Sequence, residues 1–536
     1  MYNSNEDALK ETARAATDGN VCSGMDENAF ETLLKTSVDE FPPDDIVKEV
    51  SPWRNAMRRV LIGLALCSVK LNVWCLQYIL PTCGMVLSFL GFRTLRQENK
   101  WFRYCFVISI IRMVCTLQFL ILNSTIILNT FFSSRSSIVI TAVRLSLLFA
   151  ELFCFWRGIQ EVQQKAEFPP KANSALALII WYIILSVLAL FSYNQAIIVI
   201  IAMIVSFFFI LRNIYKLSLE LDEAGYSIRT APSRVAEWCI VSLLLFLLLT
   251  GCTLGYLFGN SYPMNFQEVN QTEQSEVAAV KSRLLELGFP EYVLNDLAPE
   301  DIAACDGALL VVYHSTDHPV NDGRTIITTE SELDGKKVIS HSTVYDRKEL
   351  RITGVAVQMS EERDRWILFQ HFLWTVNPGF YGTESIQLIP TYQRFPSSWA
   401  SDGEIGGRIL YDQGGKTFFS PYYSLGNHAY VSNEIFSKGQ TRMDVFATFS
   451  MPNQGENHRG YVTYAIKGAR DGCIVDSWLN YTHQRTWLQY PVMTAMEKRM
   501  TNPWNYAGAF FTVQDALQFF PSKEGVELLY GPGNVS

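Results

Sequence analysis

The run Ile197-Ile198-Val199-Ile200-Ile201, continuing through Phe207-Phe208-Phe209-Ile210, is too long and too apolar for the core of a water-soluble domain. The same holds for Val241-Ser242-Leu243-Leu244-Leu245-Phe246-Leu247-Leu248-Leu249. A bilayer core about 30 Å thick takes roughly 20 apolar residues in a helix. Five segments meet that length: 105–132, 137–156, 174–193, 196–211 and 235–258. Chain-wide averages hide them, because 49% apolar residues and a mean hydropathy of +0.10 would also suit a soluble protein. The apolar runs crowd into about 60–258, and the remainder has ordinary globular composition.

The stretch 60–92 fits neither one straight span nor two comfortable ones, since it holds Lys70, Asn72 and Pro81. A hairpin turning near Lys70–Trp74 gives seven membrane helices; an interfacial helix at 55–70 followed by a span at 74–92 gives six. Orientation follows from the basic residues beside each segment. Loops 93–103 (Arg93, Arg96, Lys100, Arg103), 157–173 (Arg157, Lys165, Lys171) and 212–234 (Arg212, Lys216, Arg229, Arg234) alternate with basic-poor ones and face the cytoplasm. The region after Gly259 is then outside. Arg54, Arg58 and Arg59 put the N-terminal tail on the cytoplasmic side, which favours the hairpin.

That tail carries the charge. Residues 1–50 hold twelve acidic and four basic side chains, a net −8 that equals the charge of the whole chain. It reads as a polar, partly disordered segment, with a short amphipathic helix around Phe30–Leu34 as the alternative. No basic face for nucleic acid is present. The first 30 residues lack the apolar core of a cleavable signal peptide. Eight of the 11 cysteines lie in the apolar region as small hydrophobes. Cys305 and Cys473 alone belong to the C-terminal part, where a single disulfide between them is compatible with an oxidising compartment.

Within the spans, Arg112, Arg144 and Glu151 are costly unless paired or facing water. Arg144 and Glu151, seven apart, share a helix face, and Arg112 and Glu151 fall at similar depth on neighbouring helices. They make either an ion or proton pathway or a structural pair. No internal repeat or pair of broken helices of the transporter kind accompanies them.

After Gly259 the composition turns polar. Helical spacing over 273–287 stops at Gly288, and two short helical turns begin at Phe289-Pro290-Glu291 and Pro299-Glu300-Asp301. From Ala308 strand signals dominate, at 308–313, 324–329, 350–358, 366–374, 384–392, 405–411, 416–420, 442–450, 459–466 and 473–481. Asp412-Gln413-Gly414-Gly415 and Ala469-Arg470-Asp471-Gly472 look like hairpin turns. Helical pattern returns near 491–500 and 512–519. The expected architecture is an α-helical membrane bundle of six or seven helices followed by an extracytoplasmic, mainly antiparallel β-sandwich or jelly-roll-like domain. Its divisions are an acidic tail (1–53), a polytopic membrane domain (54–259), a helical connector (260–306) and the β domain (307–536).

All seven histidines lie in the C-terminal half: His314, His318, His341, His371, His428, His458 and His483. His314 and His318 flank Asp317 at a strand end, not on a helix, and no metal or cofactor site is expected. The carboxylates Glu384, Asp402, Glu404, Asp444, Glu456 and Asp476 would suit glycoside hydrolysis only at the right separation. No nucleophile elbow, phosphate loop or dinucleotide motif is present. Aromatic residues interleaved with Asn, Gln, Asp and His over 366–505 suit flat ligands or protein partners. The candidates are Tyr381, Trp399, Tyr422, Tyr423, Asn457 and His458, on or near the polar loops 377–382 and 452–460. The layout is that of a cell-envelope protein whose partners are the lipid bilayer and an envelope glycan or a protein. Three functions follow: a ligand- or partner-binding protein, with sensing as one such role; a membrane-anchored hydrolase of an envelope polymer; and a transporter, which needs Arg112, Arg144 and Glu151 to line an aqueous cavity.

Overall fold

A computed structural model describes residues 52–69, 71, 75–127, 134–168, 173–191, 197–223, 235–269, 275–320, 325–333, 336–344, 349–359, 365–390, 400–401, 403–431, 441–469, 474–501, 508–522 and 525–529. The Phe30–Leu34 segment, Trp399, Asp402 and Cys473 lie outside them. The chain divides into two compact units, Met1–Val114 with Thr141–Ile240, and Cys115–Ile140 with Val241–Ser536.

The apolar half forms α1 (Pro52–Ser68), α2 (Leu76–Leu95), α3 (Lys100–Leu122), α4 (Ser134–Lys165), α5 (Asn173–Phe191), α6 (Ile197–Glu223) and α7 (Glu237–Phe258). Five helical segments among the described residues are long and apolar enough to cross a membrane: Leu76–Leu95, Lys100–Leu122, Ile138–Lys165, Val199–Glu223 and Glu237–Phe258. The span expected over 105–132 stops instead at Leu122. There Asn123, Ser124 and Thr125 donate side-chain hydrogen bonds to the carbonyls of Phe119, Ile121 and Leu122. Such local bonds compete with the helix ladder.

In the first unit α1 and α2 lie against each other, because Gly63, Gly84 and Gly91 leave no room for a Cβ between them. The two run antiparallel, with Gly63 against Gly84 and Ser88 and Gly91 against Ala56 and Val60; residues 70 and 72–74, where the turn is expected, lie outside the described residues. Trp53, Phe92, Phe102, Phe155, Trp181 and Phe207 fill one core joining α1 to α6.

In the second unit, the β part holds two large antiparallel sheets. The first runs β1 (Gln267–Glu268), β10 (Lys416–Pro421), β9 (Gly406–Gln413), β13 (Glu456–Lys467), β6 (Trp366–Trp374), β5 (Leu350–Met359), β2 (Ala308–His318), with β8 (Ala400–Ser401) beside β13. The second runs β11 (Ser424–Val431), β12 (Thr441–Phe449), β7 (Glu384–Pro390), β14 (Val475–Gln484), β15 (Phe510–Ser522), β16 (Gly525–Leu528). β3 (Thr325–Leu333) and β4 (Lys336–Val344) pair separately. One core takes side chains from both large sheets, with Phe372 against Tyr481 (4.8 Å between ring centres) and Trp366 against Phe519 (4.8 Å). Gly354 sits where a Cβ would strike Leu517 of the other sheet.

Helices α8 (Ser275–Glu286), α9 (Glu291–Leu294) and α10 (Pro299–Ala303) cover the other face of the first sheet. Both faces of β5 and β6 are therefore buried, which is why their sequences are almost continuously apolar. Asp412–Gly415 turns between β9 and β10, with Gly414 and Gly415 at φ 60° and 75°.

Two expectations fail. The segment 512–519 is strand β15, since Phe511, Val513, Leu517 and Phe519 repeat with period two into the core. No hairpin pairs β13 with β14, which belong to different sheets; Arg470, Asp471 and Gly472 lie outside the described residues. Cys305 is a free, buried thiol that donates to the carbonyl of Asp301 (3.5 Å). Burial pushes it up to about 12.

Candidate functional site

The two polar loops come together. Asn377 donates its amide to the carbonyls of Gly455 (3.3 Å) and Asn453 (3.5 Å), and its Oδ1 receives the N–H of Gly379 (2.8 Å). Gly382, at φ 81°, lies so close to Gln484 that a side chain there would displace it. The Gln484 amide oxygen in turn accepts the Thr383 N–H (3.0 Å).

Beneath these loops lies a layer of buried polar groups walled by aromatic rings. His458 packs on Phe380 (4.5 Å between centres) and stacks with Tyr411 (5.9 Å), and its Nε2 meets the Pro452 carbonyl (3.0 Å). Burial holds the His458 imidazole below its ordinary range, against the opposing pull of the Pro452 and Gln454 carbonyls. His483 lies against Trp374 (5.0 Å) and Phe380 (5.8 Å), and its Nδ1 is 2.9 Å from Glu384 Oε1. Burial raises the Glu384 carboxyl above its usual range, although His483 favours the charged form. A histidine and a carboxylate thus share a dry compartment at one end of the two sheets.

The sequence candidates fall around this compartment unevenly. His458 is buried in it, while Asn457, at φ 52°, donates to Asp412 (3.0 Å) at its rim. Tyr381 is exposed on the loop above. Tyr422 is buried and donates to the Tyr461 carbonyl (3.0 Å), so its ring offers no ligand surface. Tyr423 is 46% exposed and stacks on Tyr262 at 4.4 Å. Ser450 ties this pair to the loops, accepting the Tyr262 N–H (2.9 Å) and donating to the Gly382 carbonyl (2.5 Å).

Further polar clusters lie elsewhere in the β part. Asp296 receives His371 (2.9 Å) and Arg459 (2.7 Å), and Arg459 also reaches Asp412 (3.0 Å). Burial alone would raise Asp296, but His371 and Arg459 outweigh it and hold the carboxyl below its ordinary range. Asp444 accepts from Tyr430 (2.6 Å) and Gln387 (2.7 Å), and Gln387 in turn accepts from Arg499 and Asn480. Arg499 comes from helix α11 (Ala495–Thr501), which a capping box starts: Thr494 N–H to Glu497 (2.9 Å) and Glu497 N–H to Thr494 (3.2 Å).

Glu384 and Asp444 do not face each other. Glu384 is opposite Phe449, and Asp444 lies five positions along β12, roughly 17 Å away at about 3.4 Å per residue. That exceeds the separation of either glycosidase geometry, about 5–9.5 Å. His318 pairs with Asp515 (2.8 Å) and His314 with Thr316 (2.9 Å). No group of three metal-ligating side chains occurs among the described residues.

In the first unit, Arg112 of α3 donates to Glu151 of α4, with side chains 15% and 1% exposed. The second carboxylate oxygen of Glu151 has no partner among the described residues. Nearby, Ser68 and Tyr182 share a hydrogen bond of 2.5 Å. Arg144 is exposed on α4.

The β part is fastened to helix ends within the second unit. Val492 donates its N–H to the Asn123 carbonyl (2.7 Å), and Tyr490 its hydroxyl to the Leu120 carbonyl (3.1 Å). Tyr256 donates to the Gln489 carbonyl, and Asn260 to that of Trp487 (3.3 Å). Ile126 donates to Gly259 (2.8 Å). Gly251, Gly255 and Gly259 leave room along α7 for Ile121, Ser124 and Thr125. Nothing in the residue pattern announced this clamp except the four-residue spacing of those glycines. Comparison of the chain with protein-family models and with curated proteins gives no match.

Proposed function

We propose that this chain is an integral membrane protein of the cell envelope that displays a β-sandwich outside and binds a ligand or partner there. In this reading seven helices cross the bilayer, with the acidic tail in the cytoplasm. The tight glycine-lined pairing of α1 with α2 supports counting both, and α1, at 17 residues, reaches the lower limit for a span.

The observation that carries the reading is the clamp at 487–492. Here Tyr256, Asn260, Leu120 and Asn123 are bonded directly to the β part, which gives a change in its loops a short hydrogen-bonded route to α3 and α7. Sensing, with the state passed inward, is the function such a joint supports. The paired loops over His458, His483 and Glu384, with exposed Tyr381 and Tyr423 beside them, offer the aromatic and polar surface for an envelope glycan or a protein.

The test is a thermal-shift screen of the full-length protein in lipid nanodiscs against envelope glycans, peptides, metals and small metabolites, since binding to the folded state raises apparent stability. Stabilisation by one class, lost on Tyr381→Ala or Tyr423→Ala, supports the site. Stabilisation untouched by either change places binding elsewhere. A reporter fused near residue 50 that reads as external removes the topology.

One observation favours a hydrolase as a second reading: the buried His483–Glu384 pair, whose raised carboxyl resembles a general acid held in a dry site. Turnover of an envelope polymer abolished by Glu384→Gln would establish it. The transporter reading has no comparable support, because the Glu151 side chain is 1% exposed and paired with Arg112.

A further inference from the structure

The loop that clamps the β part also carries two large apolar side chains that remain exposed among the described residues. Trp487 is 55% and Leu488 63% exposed, although both neighbour residues that are deeply bonded. Trp487 lies edge-on to Tyr256 of α7, 6.4 Å between ring centres, and its carbonyl accepts the Asn260 amide. Tyr256 is two residues before the last residue of α7, hence about 3 Å along the axis from its end. The depth of Trp487 is therefore fixed: it is level with the final turn of a helix long and apolar enough to cross a membrane.

One side of that turn is exposed: Leu254, Leu257 and Phe258 are 51%, 67% and 81% exposed, while Gly255 packs on Ser124 and Thr125. Trp487 and Leu488 stand beside the same turn, through the contact of Trp487 with Tyr256. Tryptophan, with an apolar ring and one N–H, is the side chain enriched where hydrocarbon gives way to headgroups.

We infer that Trp487 and Leu488 form a membrane-interface anchor, through which the β part dips into the lipid headgroup and upper acyl region beside α7. The occupant of this surface is lipid, because Trp487 stands level with the end of a helix of membrane-crossing length and composition. The inference rests on the membrane reading proposed above. It adds a second attachment to the hydrogen-bonded clamp and sets the β part down on the bilayer, not on a stalk above it.

Tryptophan quenching by brominated lipids tests it in the full-length protein reconstituted into nanodiscs. The difference between wild type and Trp487→Phe isolates the emission of Trp487. That component should be quenched more by bromine near the carbonyl end of the acyl chain than by bromine near its middle. A photo-crosslinking residue at position 488 should join lipid. If Trp101, Trp156, Trp181 and Trp238 of the apolar helices are quenched but the Trp487 component is untouched by either lipid, the anchor is overturned and the membrane reading stands. If no tryptophan is quenched, the membrane reading fails and the anchor with it. A Trp487 component quenched equally or more by deep bromine also overturns an interfacial position. Phenylalanine retains the ring contact with Tyr256, and an unchanged melting temperature shows that the variant is folded.

Discussion

Single residues in this chain are expensive chiefly where charge is enclosed. Arg112 and Glu151 are visible in sequence as two charges inside apolar stretches, and the cost of leaving either alone there makes a partner necessary. Removing one member by Glu151→Ala should destabilise the folded protein by about 3–5 kcal/mol, since the arginine loses the carboxylate it donates to in a largely apolar setting. Replacing both by leucine should cost much less, and thermal unfolding in nanodiscs compares the two. In the β part, Asp296 sets a pH dependence. Its folded pKa is depressed by His371 and Arg459 against the opposing effect of burial, so the unfolded chain takes up a proton first as pH falls. The stabilisation is complete above the ordinary carboxylate value of about 4 and is lost as pH drops through the lower folded value. Glu384 works in the opposite sense: its raised folded pKa removes stability as pH rises through the interval above that ordinary value. Asp296→Asn should lower stability at neutral pH by about 2–4 kcal/mol and flatten the acid limb, as chemical unfolding at pH 7 and pH 3 would show.

At the scale of elements, legibility follows periodicity. Helices α8, α9 and α10 occur where proline, glycine and helical spacing put them, with Gly288 at φ 88° ending the first. Strand β15 is hard to read because Asp515 falls on the core-facing parity that Phe511, Val513, Leu517 and Phe519 otherwise maintain. The crossing of α3 and α7 is legible only as the four-residue spacing of Gly251, Gly255 and Gly259, since glycine in an apolar helix has several uses. Its role is spatial: at Gly255 a Cβ would meet Ser124 and Thr125. Gly255→Leu should therefore force the helices apart at a cost of about 1–3 kcal/mol. It should also release the hydrogen bond between Ile126 and Gly259, detectable as faster amide exchange at Ile126. Unchanged protection there would mean the contact is looser than its geometry implies.

For the molecule as a whole, the division into an apolar helical half and a polar β half is plain from hydropathy, because runs long and apolar enough to cross a membrane stop at about residue 258. The candidate site was only half legible. The loops 377–382 and 452–460 were recognisable by composition, and they meet. The pairing of His483 with Glu384 depends on the register of β7 with β14, a contact across 99 residues that composition does not encode. The same is true of the clamp, where Tyr490 reaches back 370 residues to Leu120. Its strength decides whether the β part and its helices respond together. Tyr256→Phe and Tyr490→Phe each remove one hydroxyl donor without opening a cavity, so each should cost about 1 kcal/mol. Combined, they should speed amide exchange at Gly259, Asn260 and Val492 by roughly ten- to thirtyfold while leaving the β core protected. Ligand-induced stabilisation in the β part should then no longer extend to α7. If exchange in α7 still responds to the ligand in the double variant, coupling passes through the chain connection at 259–266 and not through the clamp.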